Sequence, residues 1–342
     1  MTETVWLAIL LVLIGGAMEG SFALPMQRTQ RWAWENVWLV YSVVGLIIIP
    51  WIAAWMTVPH LSLVYHQVAG QTLFVAALFG FGWGIANVLF GLALPLVGMA
   101  ITFAVIVGMS AALGSFIPLL LSHRSRLFQP TGLLIMTGVA LALVGVVLLG
   151  AAGKARERQK SDKSASMGSS SSRATLGLIL CVIAGFLAPM LNFSFAFGSA
   201  ISSRAIQQGA APSQAANAIW AISLAGGFVS NGGYSIVRLF KDHTWVRMTA
   251  AGTLSHYALS SLMGVLWTVG LLLYGWGASS LGSLGASAGW PVFQATIVLV
   301  SSALGIAAGE WLHVEKRTFR LNLAGLALLI VSIVVLSFGG RA

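Results

Sequence analysis

Apolar residues run along this chain in blocks of about twenty, parted by short polar connections, from one end to the other. A hydrocarbon layer about 30 Å thick is crossed by roughly 20 residues of α-helix, so each block has the length of a membrane span. The pattern predicts ten spans, at 4–24, 37–57, 71–93, 97–121, 130–152, 174–199, 213–240, 252–275, 286–311 and 320–339. Strands of a membrane barrel would read as alternating segments of about ten residues, a period not seen here. The expected fold class is an all-α membrane protein of ten transmembrane helices.

One connection is long. Residues 154–173, KARERQKSDKSASMGSSSSR, begin basic and end serine-rich. Such a segment buries too little apolar surface to fold and reads as a flexible cytoplasmic linker. It leaves five spans in residues 1–153 and five in 174–342, so the second set enters the membrane from the opposite side, which is the parity of a 5+5 inverted repeat. Internal similarity agrees: LFGLALPLVG at 89–98 aligns with LYGWGASSLG at 273–282. The same offset of 184 pairs Trp83 with Trp267, Phe90 with Tyr274, Gly91 with Gly275 and Gly98 with Gly282. MEGSFA at 18–23 resembles LNFSFA at 191–196 and sets Glu19 opposite Asn192. Gly80 and Gly84, among other small-residue pairs, stand at helix-packing spacing.

Composition sharpens this picture. Of the 342 residues, 58% are hydrophobic and 8% charged, against about 25% charged in a soluble domain. The net charge of +10 raises the question of nucleic acid. Its distribution answers it: 14 of the 18 Lys and Arg fall in alternate connections, among them Arg28, Arg31, Arg238 and Lys316, and only Arg124, Arg126, Arg204 and Arg341 in the others. That bias is the positive-inside pattern, and it places both termini outside the cytoplasm of an inner-membrane protein. No Lys or Arg precedes the first apolar run, which predicts a membrane span rather than a cleaved signal peptide. Cys181 is the single cysteine, so no intramolecular disulfide or cysteine metal cluster is expected, and the histidine spacing suggests no metal site. With no G-x-x-x-x-G-K-[ST] loop, neither an ATP-driven pump nor any cofactor is implied. GASAG at 285–289 fits G-x-S-x-G, with Ser287 and His256 as the pair a hydrolase would use, but a nucleophile elbow needs a strand before it, so an enzyme is not expected. A channel would need rings of polar groups along a pore, which one acid in ten spans does not supply.

That acid is Glu19, alone among the eight acidic residues in lying well inside a predicted span. A carboxylate there costs about 2.5 to 3.5 kcal/mol on insertion scales and usually faces a cavity. With no Lys or Arg deep in any span, Glu19 is a candidate to bind a proton or a small cation, with a hydrogen-bonded structural acid as the alternative. His256, also in the inner third of its span, is a candidate partner in a proton relay. Most tryptophans, including Trp32, Trp38 and Trp220, sit near predicted span ends as belt anchors. Trp83 and Trp267 fall near mid-span. Indole faces suit the C–H face of a sugar, and amides suit its hydroxyls. Asn87, one turn after Trp83, and Asn192, Asn231, Tyr274 and Gln294 complete the candidate solute contacts, with helix packing as the competing role.

Two stretches, RWAWENVWLVYSVVGLIIIPW at 31–51 and FGFGWGIANVLFGLALPLVGMAITFAVIVGMSAALGSFIPL at 79–119, resemble the L-rhamnose/proton symporters of the drug/metabolite transporter superfamily. Weaker likeness is seen in GGFVSNGGYSIVRL at 226–239, SHYALSSLMGVLWTVGLLLYGWG at 255–277 and GEW at 309–311. The resemblance implies ten helices in a 5+5 inverted repeat and proton-driven uptake of a deoxy sugar such as L-rhamnose, by alternating access. The sequence departs from the family's pattern in carrying Glu19 where a small residue is common, and in lacking an acid at 286–292. Both departures touch ion coupling. Coupling to sodium, another small polar metabolite and export stay open as alternatives at this point.

Overall fold

The computed structural model describes residues 2–97, 99–161, 171–312 and 314–339. Gly98, residues 162–170 of the expected linker, His313 and Arg341 lie outside them. Among the described residues the regular structure is helical throughout. The first stretch holds α1 (Thr2–Ser21), α2 (Trp34–Ser42), α3 (Ile49–Thr57), α4 (Leu61–Gln67), α5 (Gly70–Val97), α6 (Met99–Ser122) and α7 (Pro130–Ser161). After it come α8 (Ser171–Leu187), α9 (Met190–Phe197), α10 (Ser199–Gln207), α11 (Asn217–Lys241), α12 (Val246–Thr249), α13 (Leu254–Ser280), α14 (Trp290–Ala307) and α15 (Lys316–Gly339).

Nine segments among the described residues are long and apolar enough to cross a membrane. The span expected at 213–240 coincides with α11, a helix 25 residues long that is not one of these nine. Its polar residues explain why. Asn217 donates to Thr57 Oγ1 at 2.9 Å, Ser223 to its own helix at Ile219 O, and Ser235 to Asn231 O. Side chains partnered inside the protein need not be apolar, because hydrocarbon penalises only polar groups left unsatisfied.

The chain divides into two compact units. The first joins Met1–Ile85 with Met190–Gly282, and the second joins Ala86–Pro189 with Ser283–Ala342. In the first, missing side chains let backbones touch. A Cβ on Gly270 would stand 2.6 Å from Gly15 O, and one on Gly277 2.5 Å from Ala8 O, which seals α1 against α13. Cβ atoms on Gly80 and Gly226 would collide with the backbones of Ser223 and Ala77, bringing α5 against α11. The spacing of Gly80 and Gly84 thus serves helix packing. Between α2 and α3 the helix widens into a π turn, Val43–Ile48. In such a turn Gly45 O looks to the residue five ahead, Pro50, which has no N–H. Thr268 Oγ1 supplies that bond from α13 at 2.6 Å.

In the second unit α7 and α15 pack along Gly145 and Gly325, and Ser332 Oγ donates to Gly138 O at 2.7 Å. Here the structure differs from the expected linker. Residues 154–161 continue α7 as helix, and 171–173 begin α8. KARERQKS is rich in good helix formers that extend a nucleated helix at little cost. Tertiary partners hold it as well: Arg156 pairs with Glu310 and lies 5.0 Å over the Trp311 ring, and Gln159 Nε2 donates to Thr318 Oγ1.

Candidate functional site

Glu19 lies one turn beyond Gly15, where α1 presses on α13. That contact sets Glu19 against Trp267, three residues before Gly270 on α13. The Trp267 indole N–H faces the carboxylate, and the Tyr41 phenol lies within electrostatic range of it. The second carboxylate oxygen, Oε2, is buried and has no hydrogen-bond partner. The side-chain ion pairs among the described residues, Arg156–Glu310 and Arg238–Asp242, do not involve Glu19. An oxygen so placed stands ready for a donor or a positive charge.

Around this carboxyl stands an array of rings. Trp267 stacks on Trp83 at 4.9 Å between centroids and 28° between planes, and Tyr41 meets Trp267 edge-on at 6.2 Å. Trp38 touches Tyr41 at 4.9 Å, and Phe22 closes on Tyr41 at 5.6 Å. Trp38 Nε1 donates to Asn231 Oδ1 at 2.9 Å. The fold therefore brings together four sequence-predicted residues, Glu19, Trp83, Asn231 and Trp267. It adds three that the pattern did not single out, Phe22, Trp38 and Tyr41. A signal was present: Trp34, Trp38 and Tyr41 fall at i, i+4 and i+7, one face of α2.

Several tryptophans expected at the lipid boundary are turned inward instead. Trp38 is bonded to Asn231, Trp32 donates to Arg247 O at 3.2 Å, and Trp220 is fully buried and stacked on Phe195 at 5.7 Å. Position near a span end does not say which way a ring points. Glu35, which falls outside the expected spans, is also buried, and it accepts a 2.6 Å hydrogen bond from Thr244 Oγ1.

The remaining candidates of the first unit form two further groups. Tyr274 Oη donates to Asn192 Oδ1, both side chains fully buried, with Phe195 and Trp220 framing the tyrosine. His256 is buried beside Trp32, its Nδ1 3.3 Å from Ser255 Oγ. It precedes Trp267 by eleven residues on one continuous helix, a rise of about 16 Å. The structure does not bring it to Glu19.

Asn87 and Gln294 belong to the second unit. Gln294 Nε2 donates to Ser110 Oγ at 3.0 Å, and Trp290 Nε1 to Ser110 O at 3.1 Å. Asn87 is half-buried on α5. The G-x-S-x-G run at 285–289 is a π turn leading into α14, and Ser287 O accepts from Ser115 Oγ. That backbone is not the strand–turn–helix a serine nucleophile requires.

A sequence model of the family described as L-rhamnose-proton symport protein matches residues 1–342. The chain belongs to this family. L-rhamnose-proton symporters of Cronobacter sakazakii, Klebsiella pneumoniae and Escherichia coli are 26%, 24% and 24% identical to it. Each alignment covers 99% of this chain and 99% of the relative. As a member of the L-rhamnose-proton symport family the chain is a transporter and not an enzyme. The family match runs through both units, so it takes in the Glu19 array and the Ser110–Gln294 pair alike.

Proposed function

We propose that this protein carries L-rhamnose, or a closely related deoxy sugar, inward across the bacterial inner membrane together with a proton, by alternating access. The observation that carries the reading is the buried Glu19 Oε2, without a hydrogen-bond partner beside Trp267. In this scheme Glu19 takes the driving proton. A proton needs one lone pair, which Oε2 offers, and the neutral acid tolerates the aromatic surroundings better than the anion. The indole N–H facing the same carboxylate favours a proton over sodium, since a positive N–H edge beside a metal cation is unfavourable, whereas a proton on the free oxygen is not opposed by it.

Sugar contact falls to Trp83, Trp267 and Asn231 near Glu19, to Asn192 and Tyr274, and to Asn87 and Gln294. At 4.9 Å the two indole faces leave no room for a ring between them, because a stacked guest needs about 3.5 Å on either side. Sugar therefore meets this pair at its edges, or after the stack has parted. His256 is assigned no contact with Glu19, and a relay between them needs intervening groups.

The topology we propose has ten spans in a 5+5 inverted repeat, 1–153 and 174–342, with α11 as the span too polar to stand out by hydropathy. Both termini are then outside the cytoplasm, and the connection around 154–173 is inside. The distribution of Lys and Arg supports it, as does the make-up of the compact units, each of which draws on chain from before and after that connection.

Uptake of labelled L-rhamnose into right-side-out vesicles under an imposed pH gradient tests the proposal. Accumulation should follow the gradient in the native chain and vanish in Glu19→Gln, with sugar counterflow retained. Gradient-driven accumulation that persists in Glu19→Gln removes Glu19 from coupling.

A further inference from the structure

Away from Glu19, the first unit contains a half-open cleft of about 200 Å³, lined by Gln71, Thr72, Val75, Ala76, Phe79, Ser194, Phe197 and Gly198. The space equals six or seven waters at about 30 Å³ each, room for a single pyranose. Its walls have the chemistry of a sugar site. The Gln71 amide offers paired donors and an acceptor, and the Thr72 hydroxyl adds one of each kind. Ser194 backs this wall, fully buried and held in place by Ser223 Oγ and Ala76 O. The Phe79 and Phe197 rings, 6.3 Å apart and tilted by 38°, supply apolar faces for the C–H side and methyl group of a deoxy sugar.

Position gives the cleft a role. Thr72, Val75, Ala76 and Phe79 continue on α5 to Trp83 at i, i+3, i+4, i+7 and i+11, one stripe of a single helix. The stripe climbs about 16 Å from the cleft to the Trp83–Trp267 stack. The connection before α5, residues 58–69, carries no Lys or Arg, so in the proposed topology this end faces away from the cytoplasm.

We propose that this cleft is an extracytoplasmic loading subsite for a monosaccharide, which it holds before the sugar reaches the tryptophan stack. The inference rests on the reading of the chain as an inward sugar transporter. Val75→Cys, or Thr72→Cys where that variant is not inserted, places a thiol on the wall, and the native Cys181 is buried and silent. In intact cells, saturating L-rhamnose should slow modification by a membrane-impermeant thiol reagent at least fivefold. Ser203→Cys, exposed on α10 outside the cleft, should react at an unchanged rate. Gln71→Ala and Phe79→Leu should each raise the half-saturating L-rhamnose concentration for entry about fivefold, with pH-gradient dependence kept. Normal uptake with unprotected thiols and unchanged half-saturation overturns the subsite and leaves the transport reading standing. Absence of L-rhamnose uptake by the native chain overturns the transport reading, and the subsite with it.

Discussion

Trp83 and Trp267, 184 positions apart in the chain, lie face to face with centroids 4.9 Å apart. The same offset aligns 89–98 with 273–282, so residues at matching places in that internal similarity meet each other in one unit. Both are nearly closed off, at 8% and 4% exposure. One edge of Trp83 rests on Gly227, where an added Cβ would lie 3.0 Å from the ring. The pair stands at the Trp83 end of the α5 stripe.

In the proposed scheme Trp267 is both platform and donor, and two substitutions separate these roles. Trp267→Phe keeps a ring on Trp83 but removes the N–H that faces Glu19. It should insert normally and transport sugar with weakened dependence on the pH gradient. Trp267→Ala leaves a cavity costing about 3 to 5 kcal/mol and should lower the melting temperature as well as uptake. Vesicle uptake with and without a gradient, read beside thermal unfolding in detergent, gives both results.

The Gly15–Gly270 contact positions Glu19, so adding a methyl group there should act at a distance. Gly15→Ala drives its Cβ into Gly270 O. An overpacked contact of this kind costs about 1 to 3 kcal/mol. The expected result is lower thermal stability together with impaired gradient-driven uptake, while Gly233→Ala, which has open space around it, changes neither.

Thr268 completes the backbone where Pro50 cannot. Thr268→Val strands Gly45 O in the interior, at a cost of about 1 to 3 kcal/mol, whereas Thr268→Ser retains the bond. A clear drop in thermal stability for the valine variant and a small one for serine is expected. Equal stability of the two would show that another donor reaches Gly45 O.

His256 lies well away from Glu19 along α13, so His256→Gln should keep its dependence on the pH gradient even where its maximal rate falls. The comparison with Glu19→Gln, in the same vesicles, places coupling on one residue or on both.

The Arg156–Glu310 pair should matter little to stability. The Glu310 side chain is 44% exposed and that of Arg156 15%, so water still reaches the pair through the carboxylate, and such pairs contribute about 1 kcal/mol or less. Glu310→Gln is expected to unfold within a few degrees of the native chain and to transport at the native rate.

The run of apolar blocks and the scarcity of charge were enough to identify a helical membrane protein, because each span must satisfy its own backbone in hydrocarbon and so writes its length into local composition. Glu19 stood out for the same reason: a carboxylate inside a span is costly wherever the helix packs. Tertiary structure decided what lies beside it. Helix composition does not say that Gly15 meets Gly270, that Trp38 turns from the lipid boundary to Asn231, or that Trp83 covers Trp267, since these depend on pairings between helices 184 to 255 residues apart. The helical start of the linker was hidden as well, because a polar segment is judged disordered by what it cannot bury, and Arg156 found its partners at Glu310 and Trp311 only after folding.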